Sequence, residues 1–237
     1  MLYGIGVGPG DPELLTIKSL RYLQAASVVA FPAGLNDQPG VAERIIAPWL
    51  LDTQTRLPLT FPYILDAQEL STAWHQAAQV VWPYLEAGRN VVFACEGDVS
   101  FYGTFTYLAQ SLQLQHPKLK VSAIPGVSSP MAAAAALGIP LTCQGQRLAI
   151  LPALYAIDEL VSAISWADVV VLMKVSSVYR KVWEVLADQG LLARSYIVEK
   201  ATRTDQKTYV GLENHPDIVL PYFSLLIIQC GEVVSVL

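Results

Sequence analysis

The sequence lacks a long hydrophobic run. Of its 237 residues 53% are hydrophobic and the mean hydropathy is +0.41, yet no stretch of about 18 apolar residues is unbroken. The best candidate, residues 218–237, is interrupted by Pro221, Gln229 and Glu232. The amino terminus has no basic segment and reaches Asp11 too early for a signal peptide. We therefore expect no membrane span and a cytoplasmic protein.

Cysteine and histidine are also scarce. The chain has 3 residues of each type, and neither Cys-x-x-Cys spacing nor a metal-ligand spacing of histidines occurs. These residues are Cys95, Cys143, Cys230, His75, His116 and His215. We expect buried, unreactive thiols and no metal held by the protein.

Charged residues make up only 15% of the chain, and their net charge is −5. The first 116 residues carry 5 basic and 10 acidic side chains, whereas the rest carry 10 of each. Seven of the basic residues fall between Lys174 and Lys207. No basic run is interleaved with aromatic residues, which argues against nucleic-acid binding. Most of these charges suit solvated surfaces, although a subset can meet an anion.

Apolar, β-branched runs alternate with helical patterns along the chain, which predicts an α/β fold. These runs do not alternate polar and apolar residues, as expected for parallel strands covered on both faces. The predicted strands are residues 2–7, 27–31, 90–95, 121–124, 147–151, 168–173, 195–199 and 224–229.

Two helices are clearly signalled. Asp11 fits an N-cap before a helix that we expect to reach about Ala26, with Ile17 on its apolar face. A longer helix is predicted over residues 67–87 and ends at Gly88. Pro83 favours a kink or an earlier stop in it.

The last part of the chain predicts antiparallel strands. Two short runs flank the polar turn at residues 202–205, and a final apolar strand follows. The segment 114–118 is polar and contains Pro117, which is typical of a linker. We therefore predict two α/β domains, residues 1–116 and 117–237.

The first predicted strand runs into a glycine-dense turn, GIGVGPGD at residues 4–11. The dinucleotide fingerprint G-x-G-x-x-G fails in both registers, because Pro9 and Asp11 stand where its last glycine is needed. A nicotinamide site is therefore disfavoured. A tight turn with positive φ is one explanation, and a close approach to the backbone is another.

Two further turns follow predicted strands. EGDVSFYG, residues 96–103, carries two carboxylates around a glycine, and PGVSSP, residues 125–130, precedes an alanine-rich helix. Asp98 or Ser100 fits a helix cap, and the same turn fits a binding rim at the carboxyl ends of strands. The alanines favour close packing over room for a flat ligand. No Ser-His-Asp set accompanies the serines, which argues against a hydrolase.

Taken in order, the turns and strand ends resemble those of the tetrapyrrole methylases, a family of S-adenosylmethionine-dependent enzymes with two α/β domains. The resemblance covers nearly the whole chain. Its motifs are GVGPGDPELLT at 6–16, EGD at 96–98, PGVSS at 125–129, GIPLT at 138–142, VVLMK at 170–174 and VEKAT at 198–202. Val99 departs from the proline that is common at this place in the family.

The resemblance implies that S-adenosylmethionine binds in a cleft between the domains, and that the protein is a homodimer. A sulfonium cation is attracted by carboxylate and carbonyl oxygens, so no phosphate cradle is needed. The cofactor-binding residues that it implies are Pro9, Glu96, Gly97, Asp98, Phe101, Ser128, Ser129, Met173 and Ala201.

Within the family, the uroporphyrinogen methylases are disfavoured, since they have an Asp after the second strand and a KGGDP second turn. The segments FPAG at 31–34, AERII at 42–46 and LPLTFP at 57–62 are most similar to precorrin-2 C-20 methyltransferases of cobalamin biosynthesis. The expected reaction is methylation of a meso carbon of precorrin-2 or cobalt-precorrin-2.

Such a substrate is fringed with acetate and propionate groups, for which we expect basic partners at Arg44, Lys174, Arg203 and Lys207. No general base is nominated, because the macrocycle supplies its own nucleophilic carbon; Glu96 is the least implausible candidate. Three alternatives remain: methylation at another position by a sister enzyme, including the family's protein- or RNA-directed branches; a non-catalytic binding module; and, remotely, a nicotinamide oxidoreductase.

Overall fold

The computed structural model describes residues 1–34, 38–62, 67–152 and 157–231. It divides into two compact units, Met1–Ser128 and Ser129–Leu237. The first unit thus extends past the boundary expected after residue 116. The reason is that the strand Val121–Ile124 pairs with the first strand of the chain and completes the first sheet. Residues 114–118 therefore connect two elements of one unit and are not the link between units.

The first unit is built on a parallel five-stranded sheet in the order β3-β2-β4-β1-β5. Its strands are β1 Leu2–Gly6, β2 Val28–Pro32, β3 Thr55–Leu59, β4 Val91–Cys95 and β5 Val121–Ile124. Its helices are α1 Ile17–Ala25, α2 Val41–Ile46, α3 Ala67–Glu86 and α4 Phe105–Gln115. The strand β3 was not among the predicted runs, because Arg56 and Pro58 interrupt its apolar residues.

The second unit contains a mixed sheet in the order β6-β7-β10-β8-β9. Its strands are β6 Leu148–Leu151, β7 Val169–Met173, β8 Ser195–Glu199, β9 Lys207–Val210 and β10 Ser224–Gln229, and its helices are α5 Ser129–Leu137, α6 Ile157–Trp166 and α7 Tyr179–Asp188. The strand β10 is antiparallel to both β7 and β8, and β9 is antiparallel to β8. The predicted antiparallel closure is confirmed.

Each sheet is buried on both faces. In β4, Val91 and Phe93 pack into one apolar cluster of the first unit, while Val92 and Ala94 pack into another. The second sheet has the same two-sided arrangement, in which α5 contributes Ala133 and Ala134 on one side. Two-sided burial explains both the unbroken apolar strands and the two alanines that pack against the sheet, Ala133 and Ala134.

The predicted first helix is two separate elements. Asp11 caps only a short 3-10 turn, Pro12–Leu14, where its Oδ1 accepts from the backbone N–H two residues on at 2.8 Å. The helix α1 then begins anew, because the Thr16 hydroxyl oxygen accepts from the Ser19 amide at 3.0 Å. This restart rotates the expected apolar face, and Ile17 is 88% exposed.

The long helix α3 runs through Pro83 to Glu86 without the expected earlier stop. The chain then turns at Gly88, whose φ of 75° is the left-handed conformation of a helix-ending glycine. Of the helices described here, not one combines the length and apolarity required for a bilayer crossing.

Candidate functional site

Three neighbouring strands bring the three motif turns of the first unit together. The strand β1 lies between β4 and β5 and is parallel to both, so the turns after these strands meet at one edge of the sheet. The first two turns are joined by a pair of backbone hydrogen bonds. The Gly97 amide donates to the Gly8 carbonyl at 2.8 Å, and the Gly8 amide donates to the Gly97 carbonyl at 3.2 Å. We call these turns, residues 7–16, 96–104 and 125–128, the first edge.

The glycines of the first edge allow backbones to approach one another. A Cβ on Gly6 would lie 2.5 Å from the Gly126 amide nitrogen and 2.8 Å from the Gly97 carbonyl oxygen. A Cβ on Gly4 would lie 2.5 Å from the Phe105 ring. The glycine density therefore serves contacts within the chain itself, and Gly8 adds a φ of 81°.

The Asp98 carboxylate ties the second turn to the third. Its Oδ2 accepts from the Gly126 amide at 2.8 Å, and its Oδ1 accepts from the Ser100 amide at 2.8 Å and from the Ser100 hydroxyl at 2.5 Å. Burial acts to raise the pKa of Asp98, but these hydrogen bonds outweigh it and hold the pKa below its usual value. Neither Asp98 nor Ser100 caps α4, because its N-cap residue is Thr104.

The other implied residues of the first unit lie around this junction. Pro9 is buried next to the Gly8–Gly97 pair, Glu96 is half-buried at the end of β4, and Gly97 is left-handed with φ 69°. Phe101 is half-buried and its ring meets that of Tyr102 at 4.7 Å. Ser128 is the last residue before α5, and Ser129 is the first residue of that helix.

A second set of implied residues lies at one edge of the second sheet. Because β7 and β8 are both antiparallel to the strand between them, β10, they end at the same edge, where β10 begins. Met173 ends β7, and Lys174 follows with a left-handed φ of 55°. Ala201 is buried just after β8. We call residues 174–178, 200–207 and 221–223 the second edge.

Cations at the second edge rest on aromatic rings. The Arg203 Cζ lies 4.3 Å from the centroid of the Phe223 ring, and the Lys174 Nζ lies 5.6 Å from that of Tyr222. Lys200 instead pairs with Asp205 at 2.5 Å, which lowers the pKa of that carboxyl. Sequence reasoning missed both aromatic residues, although they directly precede a strong strand signal.

The chain matches the family model of the Tetrapyrrole (Corrin/Porphyrin) Methylases over residues 1–216. It belongs to the tetrapyrrole methylase family. The predicted family and its α/β fold of two sheets are thereby confirmed.

The chain has relatives that match nearly its whole length. It is 31% identical to the precorrin-2 C(20)-methyltransferase of Sinorhizobium sp, over 96% of this chain and 94% of that protein. It is 29% identical to the cobalt-precorrin-2 C(20)-methyltransferase of Salmonella typhimurium, over 96% of this chain and 95% of that protein. It is also 34% identical to the cobalamin biosynthesis protein CobIJ of Mycobacterium tuberculosis, of which it spans only 46%.

Solved structures share the fold of this chain. A cobalt precorrin-4 methyltransferase aligns with a TM-score of 0.74 and 24% identity over 96% of this chain and 94% of that one. The uroporphyrin-III C-methyltransferase of Thermus thermophilus, complexed with S-adenosyl homocysteine, aligns with a TM-score of 0.68 and 24% identity, over 98% of this chain and 97% of that one.

The four basic residues predicted to meet substrate are not all at one edge. Lys174, Arg203 and Lys207 share the second edge, with Lys207 at the start of β9 opposite the buried Glu199. Arg44 belongs to the first unit, on α2, where its Nη1 donates to the Pro39 carbonyl at 2.6 Å. The role of each in substrate binding stays a prediction.

Two of the three cysteines have raised pKa values. Burial raises the pKa of Cys95 and of Cys230 to about 11, so both favour the unreactive thiol form. Among residues 1–34, 38–62, 67–152 and 157–231, no three histidine, cysteine, aspartate or glutamate side chains cluster as a metal site.

Proposed function

We propose that this methylase transfers a methyl group from S-adenosylmethionine to the C-20 meso carbon of precorrin-2 or cobalt-precorrin-2, in cobalamin biosynthesis. The observation that carries the proposal is the end-to-end match to two proteins named for this reaction, each covering at least 94% of the relative's length. One is named for the cobalt-loaded ring and the other for the metal-free ring, so the proposal includes both substrates.

The residues of the first edge fit the proposed cofactor. Its turns carry four acidic side chains, Asp11, Glu13, Glu96 and Asp98, and no basic one. A sulfonium cation is favoured in such surroundings. We propose that Pro9, Glu96, Gly97, Asp98, Phe101 and Ser128 of the first unit, with Ser129, Met173 and Ala201 of the second, hold the cofactor.

When bound, S-adenosylmethionine supplies an electrophilic methyl group. With both molecules bound, the methyl group would pass to an electron-rich ring carbon, and S-adenosylhomocysteine and one proton would be the other products. Because the ring supplies its own nucleophile, the chain's residues act by orienting both molecules and by excluding water. The firm backbone junction at Gly8, Gly97 and Gly126 provides the rigid support that such positioning needs.

The substrate carries acetate and propionate groups, which need cationic partners. We propose Arg44, Lys174, Arg203 and Lys207 for this role. Three of them lie at the second edge, which favours that edge as the main contact with the carboxylates.

The decisive experiment is incubation with methyl-labelled S-adenosylmethionine and precorrin-2, with and without cobalt, followed by NMR of the product. Label at C-20 supports the proposal. Label at another carbon would show a sister methylase, and cofactor binding without transfer to any reduced tetrapyrrole would show a binding module.

Assembly and location form a separate proposal. We propose a cytoplasmic homodimer, which the family resemblance implied. Light scattering coupled to size-exclusion chromatography tests the dimer, and fractionation of the source cells tests the location. A monomer at micromolar concentration, or recovery with membranes, would contradict it.

A further inference from the structure

The residues just before β10 are two adjacent aromatics, Tyr222 and Phe223. Their rings lie 5.1 Å apart and nearly perpendicular, at 89°. Two hydrogen bonds hold the backbone of this segment. The Lys200 amide donates to the Phe223 carbonyl at 2.7 Å, and the Ser224 hydroxyl donates to the Pro221 carbonyl at 2.7 Å. Since β10 lies between β7 and β8, this pair lies between the turns that follow those strands.

Each ring contacts one cationic side chain from one of those turns. Phe223 supports Arg203, which follows β8, and Tyr222 supports Lys174, which follows β7. Both contacts are within the distance over which a ring face attracts a cation. A ring restricts the motion of a cation without neutralising its charge, so the cation keeps its attraction for an anion.

A third cation–ring pair in the same unit shows the contrast. Arg180 lies over Trp183 at 5.6 Å, but it also pairs with Glu184 at 3.0 Å and Asp217 at 2.6 Å. Its charge is therefore compensated by the protein. Lys174 is exposed and, across the part of the chain described, it forms no salt bridge.

The backbone at the second edge is held in an unfavourable conformation. Lys174, Lys200 and Thr202 have φ values of 55°, 49° and 66°, in the left-handed region that residues other than glycine rarely adopt. Such strain is concentrated at sites where a fixed geometry is used. Here the left-handed residues lie in the two turns that contain Lys174 and Arg203.

We propose that Tyr222 and Phe223 are positioning residues that hold Lys174 and Arg203 in place for carboxylate groups of the tetrapyrrole substrate. The second edge has cations at Lys174, Lys200, Arg203 and Lys207 against one carboxylate, Asp205, and its charge stays positive even when the adjoining Glu199 is counted. The identity of the substrate rests on the proposed function. The role of the aromatic pair does not depend on which ring carbon is methylated.

The first test measures binding of uroporphyrin III, a stable tetrapyrrole with eight carboxylates, by quenching of its fluorescence. The variants Tyr222→Leu and Phe223→Leu should each weaken binding about three- to tenfold. The aromatic variants Tyr222→Phe and Phe223→Tyr should stay within about twofold of the parent protein. Arg180→Gln is the matched control, since it removes a ring-supported cation whose charge is already compensated.

The second test separates positioning from general damage. In a double-mutant cycle, Phe223→Leu should add nothing further once Arg203→Gln is present, and Tyr222→Leu should add nothing once Lys174→Gln is present. Additive losses, or leucine variants that bind uroporphyrin III as the parent does, would overturn the proposal. In turnover with precorrin-2, the leucine variants should raise KM and leave kcat within about twofold.

These measurements do not depend on the methylated position. If uroporphyrin III binding depends on the aromatic pair while the product carries no label at C-20, the inference holds and the proposed function fails. If C-20 is methylated and the leucine variants show the parent affinity, the proposed function holds and the inference fails. A Phe223→Leu protein that does not fold is replaced by the pair Arg203→Gln and Phe223→Tyr, for which about a tenfold loss and no loss are expected, respectively.

Discussion

The two sheets present edges of opposite charge. At the first edge the three turns carry four acidic residues and no basic one, and their backbones interlock through Gly6, Gly97 and Gly126. At the second edge four basic side chains outnumber one acidic side chain, Asp205, and three residues other than glycine are left-handed, against one, Tyr102, at the first edge. The net charge of −5 is therefore unevenly distributed: one edge is suited to a cation and the other to an anion.

This difference matches the two molecules that the proposed reaction must bring together. The sulfonium cofactor is positively charged at sulfur, whereas the tetrapyrrole carries many carboxylates. An acidic protein repels an anionic substrate at long range, but physiological salt screens that repulsion at distances beyond about 8 Å. Recognition then depends on the local charges of each edge.

The largest expected effect comes from filling the junction of the first edge. In Gly126→Ala, the added Cβ would lie 2.7 Å from the Gly6 Cα and would also meet the Gly97 carbonyl oxygen, so the turns must separate. We expect a loss of about 3 kcal/mol or more in the free energy of unfolding, measured by urea denaturation. Gly145→Ala is the control, because nothing lies within 4 Å of its added Cβ. Equal stability of the two variants would contradict the interlocked junction.

A smaller loss is expected from Asp98→Asn. The carboxylate accepts three hydrogen bonds within the first edge, and losing this charged acceptor should cost about 1–3 kcal/mol at pH 7. The lowered pKa of Asp98 gives a pH signature. Its contribution is complete above the unfolded pKa, near 3.8, and is lost as the pH falls through the lower folded pKa.

The measurement is urea denaturation of both proteins at several pH values between 7 and the acid limit of folding. The difference between parent and Asp98→Asn should be constant at neutral pH and shrink below about pH 4. Asp52→Asn, at an exposed position of the same unit, should change stability by less than about 0.5 kcal/mol. A difference that grows toward low pH would contradict the assigned hydrogen bonds.

The comparison of charges is tested by neutralising one side chain at each edge. Glu96→Gln should weaken S-adenosylmethionine binding about three- to tenfold and leave uroporphyrin III binding unchanged, whereas Lys174→Gln should do the reverse. Calorimetry measures the first ligand and fluorescence quenching the second. Equal weakening of both ligands in both variants would show that the edges do not divide the ligands in this way.

The smallest effect is expected from salt. Raising sodium chloride from about 0.05 M to about 0.5 M should weaken uroporphyrin III binding several-fold, because several exposed charges are screened. S-adenosylmethionine, with one sulfonium and an otherwise zwitterionic amino acid, should lose no more than about twofold. If salt weakened S-adenosylmethionine binding more than uroporphyrin III binding, the assignment of the anionic ligand to the basic second edge would be contradicted.

Much of the fold could be predicted from local sequence. The strands β5, β8 and β10 lie at the predicted residues because their apolar runs are bounded by polar or proline residues. The helix at Asp11 was predicted incorrectly, since two N-cap residues compete and Thr16 starts the longer helix. The domain boundary was placed too early because Pro117 interrupts the chain just as a linker would.

The candidate site was predictable only in part. Motif spacing located the turns, the carboxylates and three of the basic residues of the second edge. It gave no indication that Asp98 bonds to Gly126, 28 residues later in the chain. Nor did it indicate that Tyr222 lies against Lys174 and Phe223 against Arg203. The two residues of each pair are far apart in the sequence, and no helical or strand periodicity links them.

By itself, the sequence determined the α/β class, the family and the charge of each motif turn, because these depend on residue type and local order. Tertiary structure alone decided which turns meet. The strand β1 lies between β4 and β5, and the strand β10 lies between β7 and β8. Strand order is set by packing between distant segments, so the junction of the first edge and the aromatic pair of the second exist only in the folded chain.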